Sequence, residues 1–393
     1  ALSSAASDVY KRQDLHLGKK LNEYSLAEDQ RYILQQLVAL AEKQQPDAIL
    51  LAGDIYDKSI PSVEAVSMFN SFLTALAALK LPVCIISGNH DSAERLDFAA
   101  DLLHDSGVHI AGCYQPNVAK VVLEDSYGKV NIYLLPFIKP AMVKHYLTED
   151  EAAKISDYHS AVAYVMEHLP LNAEERNVLV AHQFITGAKK CDSEAVFVGG
   201  LDNVGAEVFN AFDYVALGHI HSPQNLAEGR IRYCGTPLKY SFSECNQQKS
   251  VTFVTLGVKG ELAVEEVPLT PLREVRKLKG TYAEVMQKSF YKDFPMDADG
   301  RLRDFFQVIL TDEYDVLDAA GKLRSVYKNL LQLNYDNKRT QNMQNVEADT
   351  AVVQKSPLTL IDEFYELQNN QPLSTEQREV VQALLDEMEG EDA

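Results

Sequence analysis

The stretch AILLAGDIYD, residues 48–57, decides the fold. Its first five residues, Ala48–Ala52, form an all-apolar run, which is typical of a strand that is covered on both faces of its sheet. Gly53 and Asp54 follow at once and end the strand. A helical stripe that Pro46 ends lies before the run, and a second helical pattern follows over residues 63–79. The stretch therefore predicts a buried strand between helices, with acidic side chains where the strand ends.

The same alternation of helix and buried strand continues to about residue 270, so residues 14–270 are predicted to form one layered α/β domain. Residues 271–340 predict a small α+β unit, in which a helix is expected over residues 319–331. A polar linker is expected at residues 341–356. Residues 357–393 carry two amphipathic helical patterns, and the second opens with the capping box Ser374-Thr-Glu-Gln. Further strands are predicted at residues 83–86, 109–112, 130–137, 177–181, 214–217, 231–234 and 251–256.

Residues 1–13, ALSSAASDVYKRQ, show no apolar alternation and are interpreted as a non-native N-terminal scar outside the fold. With 46% hydrophobic and 24% charged residues, the composition is that of a globular protein. No apolar run is long enough to span a bilayer and no signal-peptide pattern is present, so the protein is expected to be cytoplasmic and to have no membrane contact. Its five cysteines form no C-x-x-C pair, which favours reduced thiols over disulfides or a structural zinc cluster.

The net charge of −20 is unevenly distributed along the chain. Residues 341–393 contain 12 acidic and 2 basic side chains, so half of the imbalance lies in the tail. A protein that binds DNA tightly by itself usually presents a basic face, and this charge argues against that class. It does not exclude an enzyme whose metal ions and partner subunit supply the positive charge.

Side chains that bind metals follow the predicted strands. They lie in five segments, which are Asp14-Leu-His16, residues 53–57, residues 88–91, residues 181–183 and residues 218–221. Each motif alone is more often a structural pairing or a turn, but five of the ten histidines fall in these segments. In a layered α/β fold, the loops beyond the carboxyl ends of the strands converge, which predicts a two-metal site for phosphate-ester hydrolysis. Asp, Asn and His without Cys suit manganese, iron or zinc, and we favour manganese.

The ordered set D-x-H, G-D-x-x-D, G-N-H-D, H and G-H-x-H over residues 14–222 resembles the calcineurin-like metallophosphoesterases. Residues 234–244, CGTPLKYSFSE, resemble a segment of the double-strand-break repair nuclease branch of that family. This resemblance implies a four-layer α-β-β-α sandwich with a small α+β capping domain and a C-terminal helical tail. The family has an apolar strand ahead of Asp14. Here Tyr10-Lys-Arg-Gln13 stands there instead. If these residues replaced the native strand, a truncated first strand and altered positions of Asp14 and His16 are expected.

The resemblance also implies roles for individual residues. His90 is expected to protonate the leaving 3′ oxygen as a general acid, oriented by Asp91, while Asp57 supports the metal ligands. Asp54 is expected to bridge two Mn²⁺ ions, with Mg²⁺ or another divalent ion as an alternative. The implied ligands are Asp14, His16, Asp54 and His221 on one ion and Asp54, Asn89, His182 and His219 on the other.

For function, the resemblance implies a nuclease subunit that dimerises and cleaves DNA as a 3′–5′ double-strand exonuclease and a single-strand or hairpin endonuclease. Its helical tail is expected to dock onto an SMC-type ATPase, and since the chain has no P-loop motif, no nucleotide cofactor is expected on it. Two other functions stay open, a metallophosphoesterase for cyclic nucleotides or phosphoproteins and an inactive scaffold. A basic cluster is interpreted as a DNA-binding edge, with a solvated face as the alternative, and it consists of Arg273, Arg276, Lys277 and Lys279.

Overall fold

The computed structural model describes residues 7–12, 14–194, 203–337, 357–369 and 371–391. The chain divides into two compact units, Ala1–Leu272 and Arg273–Ala393. The strands of the first unit are β1 (Ser7–Arg12), β2 (Lys20–Leu21), β3 (Tyr24–Ser25), β4 (Ala48–Ala52), β5 (Val83–Ile86), β6 (Val108–Ala111), β7 (Ala119–Asp125), β8 (Gly128–Leu135), β9 (Arg176–His182), β10 (Phe184–Ile185), β11 (Asn203–Val204), β12 (Tyr214–Gly218), β13 (Gln224–Leu226), β14 (Ile231–Tyr233), β15 (Ser250–Leu256) and β16 (Leu262–Pro268). Its α-helices are α1 (Ala27–Gln44), α2 (Val63–Ala78), α3 (Ala93–Leu96), α4 (Ala100–His104), α5 (Pro140–Lys144), α6 (Glu149–Ala152) and α7 (Tyr158–Glu167).

Two six-stranded mixed sheets form the centre of the first unit. Their strand orders are β16-β15-β1-β4-β5-β6 and β13-β14-β12-β9-β8-β7. The strands β1, β4, β5 and β6 run parallel in one sheet, as do β8, β9, β12 and β14 in the other. Antiparallel pairing occurs between β15 and its neighbours β1 and β16 in the first sheet, and between β7 and β8 and between β13 and β14 in the second. With helices on the outer faces, this is the four-layer α-β-β-α sandwich.

The apolar core between the sheets explains why the strands are so hydrophobic. All five residues of β4 are buried, because alternate residues face the opposite sheet and the others face the helical layer. On α1 and α2, the apolar stripes bury Ile33 and Leu37, and Phe69 and Phe72, respectively. The inter-sheet cluster includes Ala48, Leu50, Ala52, Cys84, Ile86, Val130, Ile132, Leu134, Val178, Val180 and Ala216.

The structure contradicts both the truncated first strand and the placement of residues 7–12 outside the fold. Ser7–Arg12 form a six-residue strand that pairs antiparallel with β15 and parallel with β4. Backbone pairing on both sides compensates for the missing apolar alternation, since ladder hydrogen bonds do not depend on side-chain type. Asp14 therefore follows a strand as the other ligand segments do. That residues 1–13 are a non-native scar stays a prediction, and residues 1–6 and 13 lie outside the described residues.

The second unit contains a three-stranded parallel sheet, β17 (Val275–Gly280), β18 (Leu302–Leu310) and β19 (Tyr327–Tyr335), in that order. Its short helices are α8 (Tyr282–Val285), α9 (Lys288–Tyr291) and α10 (Ala319–Arg324). The helix predicted over residues 319–331 is therefore too long. Tyr327 and Leu330 are buried in the core of this unit as part of β19, because pairing with β18 outweighs local helix propensity.

The tail forms the two predicted helices, α11 (Pro357–Asn369) and α12 (Thr375–Glu391). The capping box is confirmed, since Ser374 Oγ accepts a hydrogen bond from the Gln377 backbone N–H and the Gln377 side chain accepts one from the Ser374 N–H. The predicted linker at residues 341–356 lies outside the described residues. Among the residues that are described, none of the helices combines the length and apolar character needed to cross a bilayer.

Candidate metal centre

The predicted ligand segments all follow parallel strands. β1, β4 and β5 lead to residues 14–16, 54–57 and 89–91, and β9 and β12 of the other sheet end at His182 and Gly218. Four of the predicted ligand residues have strained backbone with positive φ. These angles are 47° at Asp14, 45° at His16, 47° at Asp54 and 101° at His219. Non-glycine residues in this region cost free energy and concentrate at functional sites. The fold therefore holds these side chains in place at the expense of local stability.

Glycine is required beside the cluster for two different reasons. Gly53 has a φ of 91° and turns the chain sharply before Asp54, as the sequence predicts. At Gly218 the reason is close approach instead, because a Cβ there would lie 1.8 Å from the carbonyl oxygen of Ala52 and 2.5 Å from His182 Nδ1. The two sheets can bring their ligands together only where no side chain separates the backbones.

One half of the centre is built from His16, Asp54 and His221. The Nε2 atoms of the two imidazoles face each other at 3.0 Å, and His16 Nε2 lies 3.5 Å from Asp54 Oδ2. All three side chains are buried. These residues are far apart in sequence, and they meet because β1 and β4 are neighbours in one sheet while β12 brings His221 from the other.

The other half contains Asp54, Asn89, His182 and His219. Asn89 Oδ1 lies 3.0 Å from His182 Nε2 and 2.8 Å from His219 Nδ1. Asp54 Oδ2 is 3.3 Å from His182 Nε2, so this one oxygen lies between the two halves. Such a position fits the bridging role that the resemblance implies for Asp54.

Asp14 is buried, but its contacts link it to the second half. Both of its carboxylate oxygens accept hydrogen bonds of 3.0 Å from the His219 backbone N–H, and Oδ1 lies 3.6 Å from His182 Nδ1. Asp14, Asp54 and His182 each offer a ligand atom within 4.8 Å of the others, as do His16, Asp54 and His90. The assignment of Asp14 to the ion of His16 and His221 stays a prediction.

The proton positions test whether a cation fits. His182 Nδ1 lies 2.8 Å from the Ala52 carbonyl, which can only accept, so Nδ1 carries the proton of the neutral ring. Nε2 then presents a lone pair to Asn89 Oδ1 and Asp54 Oδ2, which are also acceptors. Three acceptors that face one another in a buried site need a cation between them. The donor set of carboxylates, imidazoles and an amide oxygen therefore fits a divalent metal ion.

The electrostatics of the cluster agree with this conclusion. Burial alone would lower the pKa of His182, but the charges of Asp54 and Asp14 raise it to about 9. Positive charge is therefore favoured on this ring, at the position where a cation would bind. Burial, with a smaller contribution from repulsion by His182, lowers the pKa of His219 to about 3. Burial, with a smaller contribution from repulsion by His16, lowers the pKa of His221 well below its usual value. Metal-binding imidazoles must be neutral, and the lowered pKa values of His219 and His221 favour the neutral form of both rings.

His90 lies beside the cluster and is only partly buried. Its ring centroid is 4.9 Å from that of His16, its backbone N–H donates to Asp54 Oδ1 at 2.9 Å, and its Nδ1 lies 2.9 Å from the Asp57 carbonyl oxygen. The Asp57 carboxylate accepts from Lys19 Nζ at 2.8 Å and lies 3.6 Å from His16 Nδ1. Burial would raise the pKa of Asp57, but His16 and Lys19 hold it below its usual range. Asp57 thus contacts both His16 and His90, one through its carboxylate and the other through its main chain.

The interpretation of Asp91 as the partner that orients His90 needs correction. The Asp91 carboxylate accepts hydrogen bonds from the backbone N–H groups of Ile55, Tyr56 and Gly88 at 2.9–3.1 Å. Burial and the nearby charge of Asp54 raise the pKa of Asp91 to about 6. The Asp91 side chain therefore connects the loops that follow β4 and β5. The group that contacts His90 Nδ1 is the Asp57 carbonyl oxygen, where the Asp91 carboxylate was expected.

Asp91→Ala is accordingly expected to lower stability. The substitution leaves three backbone N–H donors without their acceptor. Each donor that stays buried and unsatisfied lowers the free energy of unfolding by about 1–3 kcal/mol. We expect the free energy of unfolding to fall by at least about 2 kcal/mol, measured by urea denaturation without metal. Asp91→Asn retains one acceptor oxygen and should lose less. Equal stability of both variants and the wild type would contradict the joining role.

Sequence reasoning missed several residues that hold the ligands in place. Gln30 Nε2 donates to the His16 carbonyl at 2.7 Å, and the Tyr240 hydroxyl donates to the Leu15 carbonyl at 2.5 Å. Ser193 and Glu194 contact His221. The CGTPLKYSFSE segment was the available signal, since it contains Tyr240 and Glu244. Gln30, Ser193 and Glu194 have no local pattern that distinguishes them.

The four basic residues of the predicted DNA-binding edge lie on or next to β17, and three of them make contacts within their own unit. Arg276 pairs with the buried Asp304 at 2.7 Å, Lys279 pairs with Asp336 at 2.5 Å, and the Arg273 guanidinium lies 5.0 Å from the Phe305 ring. Lys277 is exposed. Their role in DNA binding stays a prediction.

Two family models together match most of the chain. Residues 14–223 match the family model of the calcineurin-like phosphoesterases, and residues 271–369 match the model described as the type 5 capsule protein repressor C-terminal domain. Two solved structures, TT1561 of Thermus thermophilus and a dimetal phosphatase from Danio rerio, align with TM-scores of 0.39 and 0.40. They are 14% and 11% identical, and the alignments cover 66% and 68% of this chain and 99% and 98% of theirs.

The sandwich and its buried donor cluster thus define the class, a calcineurin-like phosphoesterase, whose fold implies divalent metal ions. The chain is also 33% identical over 377 residues to the SbcD subunit of the nuclease SbcCD from Staphylococcus epidermidis, which covers 95% of this chain and 96% of that protein. Within the class, the chain belongs to the SbcD family of nuclease subunits.

Proposed function

We propose that this chain is a manganese-dependent DNA nuclease subunit that hydrolyses phosphodiesters as a 3′–5′ double-strand exonuclease and a single-strand or hairpin endonuclease. The observation that carries the proposal is the buried cluster of facing acceptors around Asp54, in a chain that aligns with an SbcD protein over 95% of its length. DNA repair, recombination and replication are the processes in which such a nuclease would act.

In this proposal, Asp14, His16, Asp54 and His221 hold one Mn²⁺ and Asp54, Asn89, His182 and His219 hold the other. Ions held by these residues would supply Lewis-acid polarisation of a phosphate ester and would lower the pKa of water. The protein supplies neutral imidazoles and fixes their orientation, as the Ala52 carbonyl does for His182. Strained backbone at Asp14, His16, Asp54 and His219 pre-forms the ligand geometry before substrate arrives.

His90 is the proposed general acid. Its Nδ1 lies 2.9 Å from the Asp57 carbonyl oxygen, so Nδ1 carries a proton. As a general acid the ring must also carry a proton on Nε2, which it gives to the leaving 3′ oxygen, and the neutral Nδ1–H ring remains. The partial exposure of His90 supports contact with substrate, whereas the proposed histidine ligands are all buried.

The helical tail is proposed to dock onto an SbcC-like SMC-type ATPase. α11 and α12 contact each other through the Gln377 side chain and the Tyr365 hydroxyl at 3.0 Å. Some of their apolar side chains are exposed, with 64% of Phe364, 60% of Val380 and 56% of Leu384 accessible. An exposed apolar stripe on a helical hairpin supports docking of the helix-in-groove or coiled-coil type.

A self-dimer within a heterotetramer with the ATPase is also proposed. Exposed apolar side chains near the start of α2 and around α4 support a further interface, and they are Ile60, Val63, Phe98 and Leu102, at 71–88% exposure. The overall charge of −20 makes a partner that supplies basic surface useful for DNA binding. A cytoplasmic location is part of the same proposal.

The test is an assay of the purified chain with Mn²⁺ on hairpin DNA, linear duplex DNA, a phosphoprotein and a cyclic nucleotide. Cleavage of DNA is the expected result, and hydrolysis of the phosphoprotein or cyclic nucleotide alone would favour the other metallophosphoesterase functions. Metal content by mass spectrometry addresses the inactive scaffold, which predicts fewer than two ions per chain. Co-purification with an SbcC-like ATPase, followed by cleavage with and without ATP, tests the partner.

A further inference from the structure

Outside the ligand set, a chain of polar contacts reaches His221 from the far side of the centre. The Ser193 hydroxyl lies 2.7 Å from His221 Nδ1 and donates to Glu244 Oε1, also at 2.7 Å. Glu244 is fully buried, and Ser193 is half-buried. The opposite ring nitrogen of His221, Nε2, faces His16 Nε2 in the centre at 3.0 Å.

Proton counting fixes the direction of this chain. An ionised carboxylate only accepts, so the one hydroxyl proton of Ser193 goes to Glu244. The Ser193 oxygen must then accept a proton from His221 Nδ1. His221 is therefore the Nδ1–H tautomer, and its lone pair on Nε2 points into the centre, where a metal ligand needs it.

Buried contacts keep Glu244 in place as an acceptor. Lys249 Nζ donates to its Oε2 at 2.6 Å, and the backbone N–H of Tyr240 donates to its Oε1 at 3.2 Å. The same Lys249 ammonium donates to the His221 carbonyl oxygen at 2.9 Å. The ring of His221, through Ser193, and its main-chain carbonyl both connect by hydrogen bonds to the buried ion pair of Glu244 and Lys249.

We infer that Ser193 and Glu244 are positioning residues that fix the tautomer and ring orientation of His221 and so preform one side of the metal centre. This inference deepens the proposed function and rests on it only for the identity of the bound ion. It also gives Glu244, in the segment CGTPLKYSFSE, a physical role that the sequence does not reveal.

The tautomer is tested on metal-free protein labelled with ¹⁵N-histidine, by long-range ¹H–¹⁵N correlation spectra. The His221 signal is identified by its absence in His221→Asn. We expect Nδ1 protonated in the wild type and a mixture of tautomers in Ser193→Ala. An Nε2–H tautomer in the wild type, or an unchanged spectrum in Ser193→Ala, would overturn the inference. Neither outcome depends on DNA cleavage, so failure here is separable from failure of the proposed nuclease function.

Metal affinity gives a second readout, by calorimetric titration with Mn²⁺. Ser193→Ala is expected to weaken Mn²⁺ binding by about 10–100-fold, the usual effect of losing a partner behind a metal-binding histidine. Ser193→Thr keeps the hydroxyl and should restore most of the affinity. Ser241→Ala is the matched control. The Ser241 hydroxyl also donates to Glu244 Oε1, at 2.9 Å, but among the described residues it forms no hydrogen bond with a proposed metal ligand.

Circular dichroism and thermal unfolding of each variant in the absence of metal would show that it is folded. A folded Ser193→Ala with wild-type affinity, or an equal loss in Ser241→Ala, would show that the hydroxyl has no positioning role.

Discussion

Asp54→Asn is expected to lower the rate of DNA cleavage by at least about 1,000-fold, because acid–base and electrostatic contributions to the reaction both depend on an assembled centre. Asp54 Oδ2 lies 3.5 Å from His16 Nε2 and 3.3 Å from His182 Nε2, so one oxygen serves both halves. Burial would raise the pKa of Asp54, but His182 and His16 hold it well below the usual value, which favours the ionised carboxylate. Asparagine has the same shape but removes this charge.

The measurement combines single-turnover kinetics on hairpin DNA with metal content by mass spectrometry. We expect Asp54→Asn to retain no more than one of the two proposed Mn²⁺ ions and to lose the rise in thermal stability that Mn²⁺ gives the wild type. Asp150→Asn is the matched control, because Asp150 is an exposed aspartate on α6. Two ions per chain with normal turnover in Asp54→Asn would disprove the bridging role.

His90→Leu is expected to have the second largest effect, a loss of turnover of at least about 100-fold with near-normal Mn²⁺ binding. The reason is that His90 Nδ1 is engaged by the Asp57 carbonyl while its side chain stays partly exposed beside the cluster. Leucine fills a similar volume but carries no proton. The readouts are the turnover number on hairpin DNA and a calorimetric titration with Mn²⁺.

A different role for His90 is open to the same experiment. His16, Asp54 and His90 offer ligand atoms within 4.8 Å of one another, so the geometry would also permit His90 to bind a metal ion. Loss of an ion in His90→Leu would show that it is a ligand. An exposed histidine at the end of α5, His145, gives the control His145→Leu, for which turnover and binding should match the wild type.

Sequence patterns predicted most strands of the sandwich, because burial on both faces leaves a direct record in side-chain type. The runs at Ala48–Ala52 and Val83–Ile86 have the same bounds in the structure as in the sequence-based prediction. The pattern failed where pairing rather than side-chain type makes a strand, as in Ser7–Arg12 and in Tyr327–Tyr335. The edge strands Ala119–Asp125 and Leu262–Pro268, which expose many side chains, were missed for the same reason.

By itself, the sequence determined which side chains end the strands and, through their types and order, the family and the chemistry of the site. Only the tertiary structure decided which atoms meet. Asp91 was expected beside His90, yet its carboxylate joins two loops, while a main-chain carbonyl holds His90. Ser193 contacts His221 although nothing local distinguishes it. A pattern of residue types records burial and turns, whereas contacts between distant loops depend on the register and spacing of two packed sheets, which no local pattern encodes.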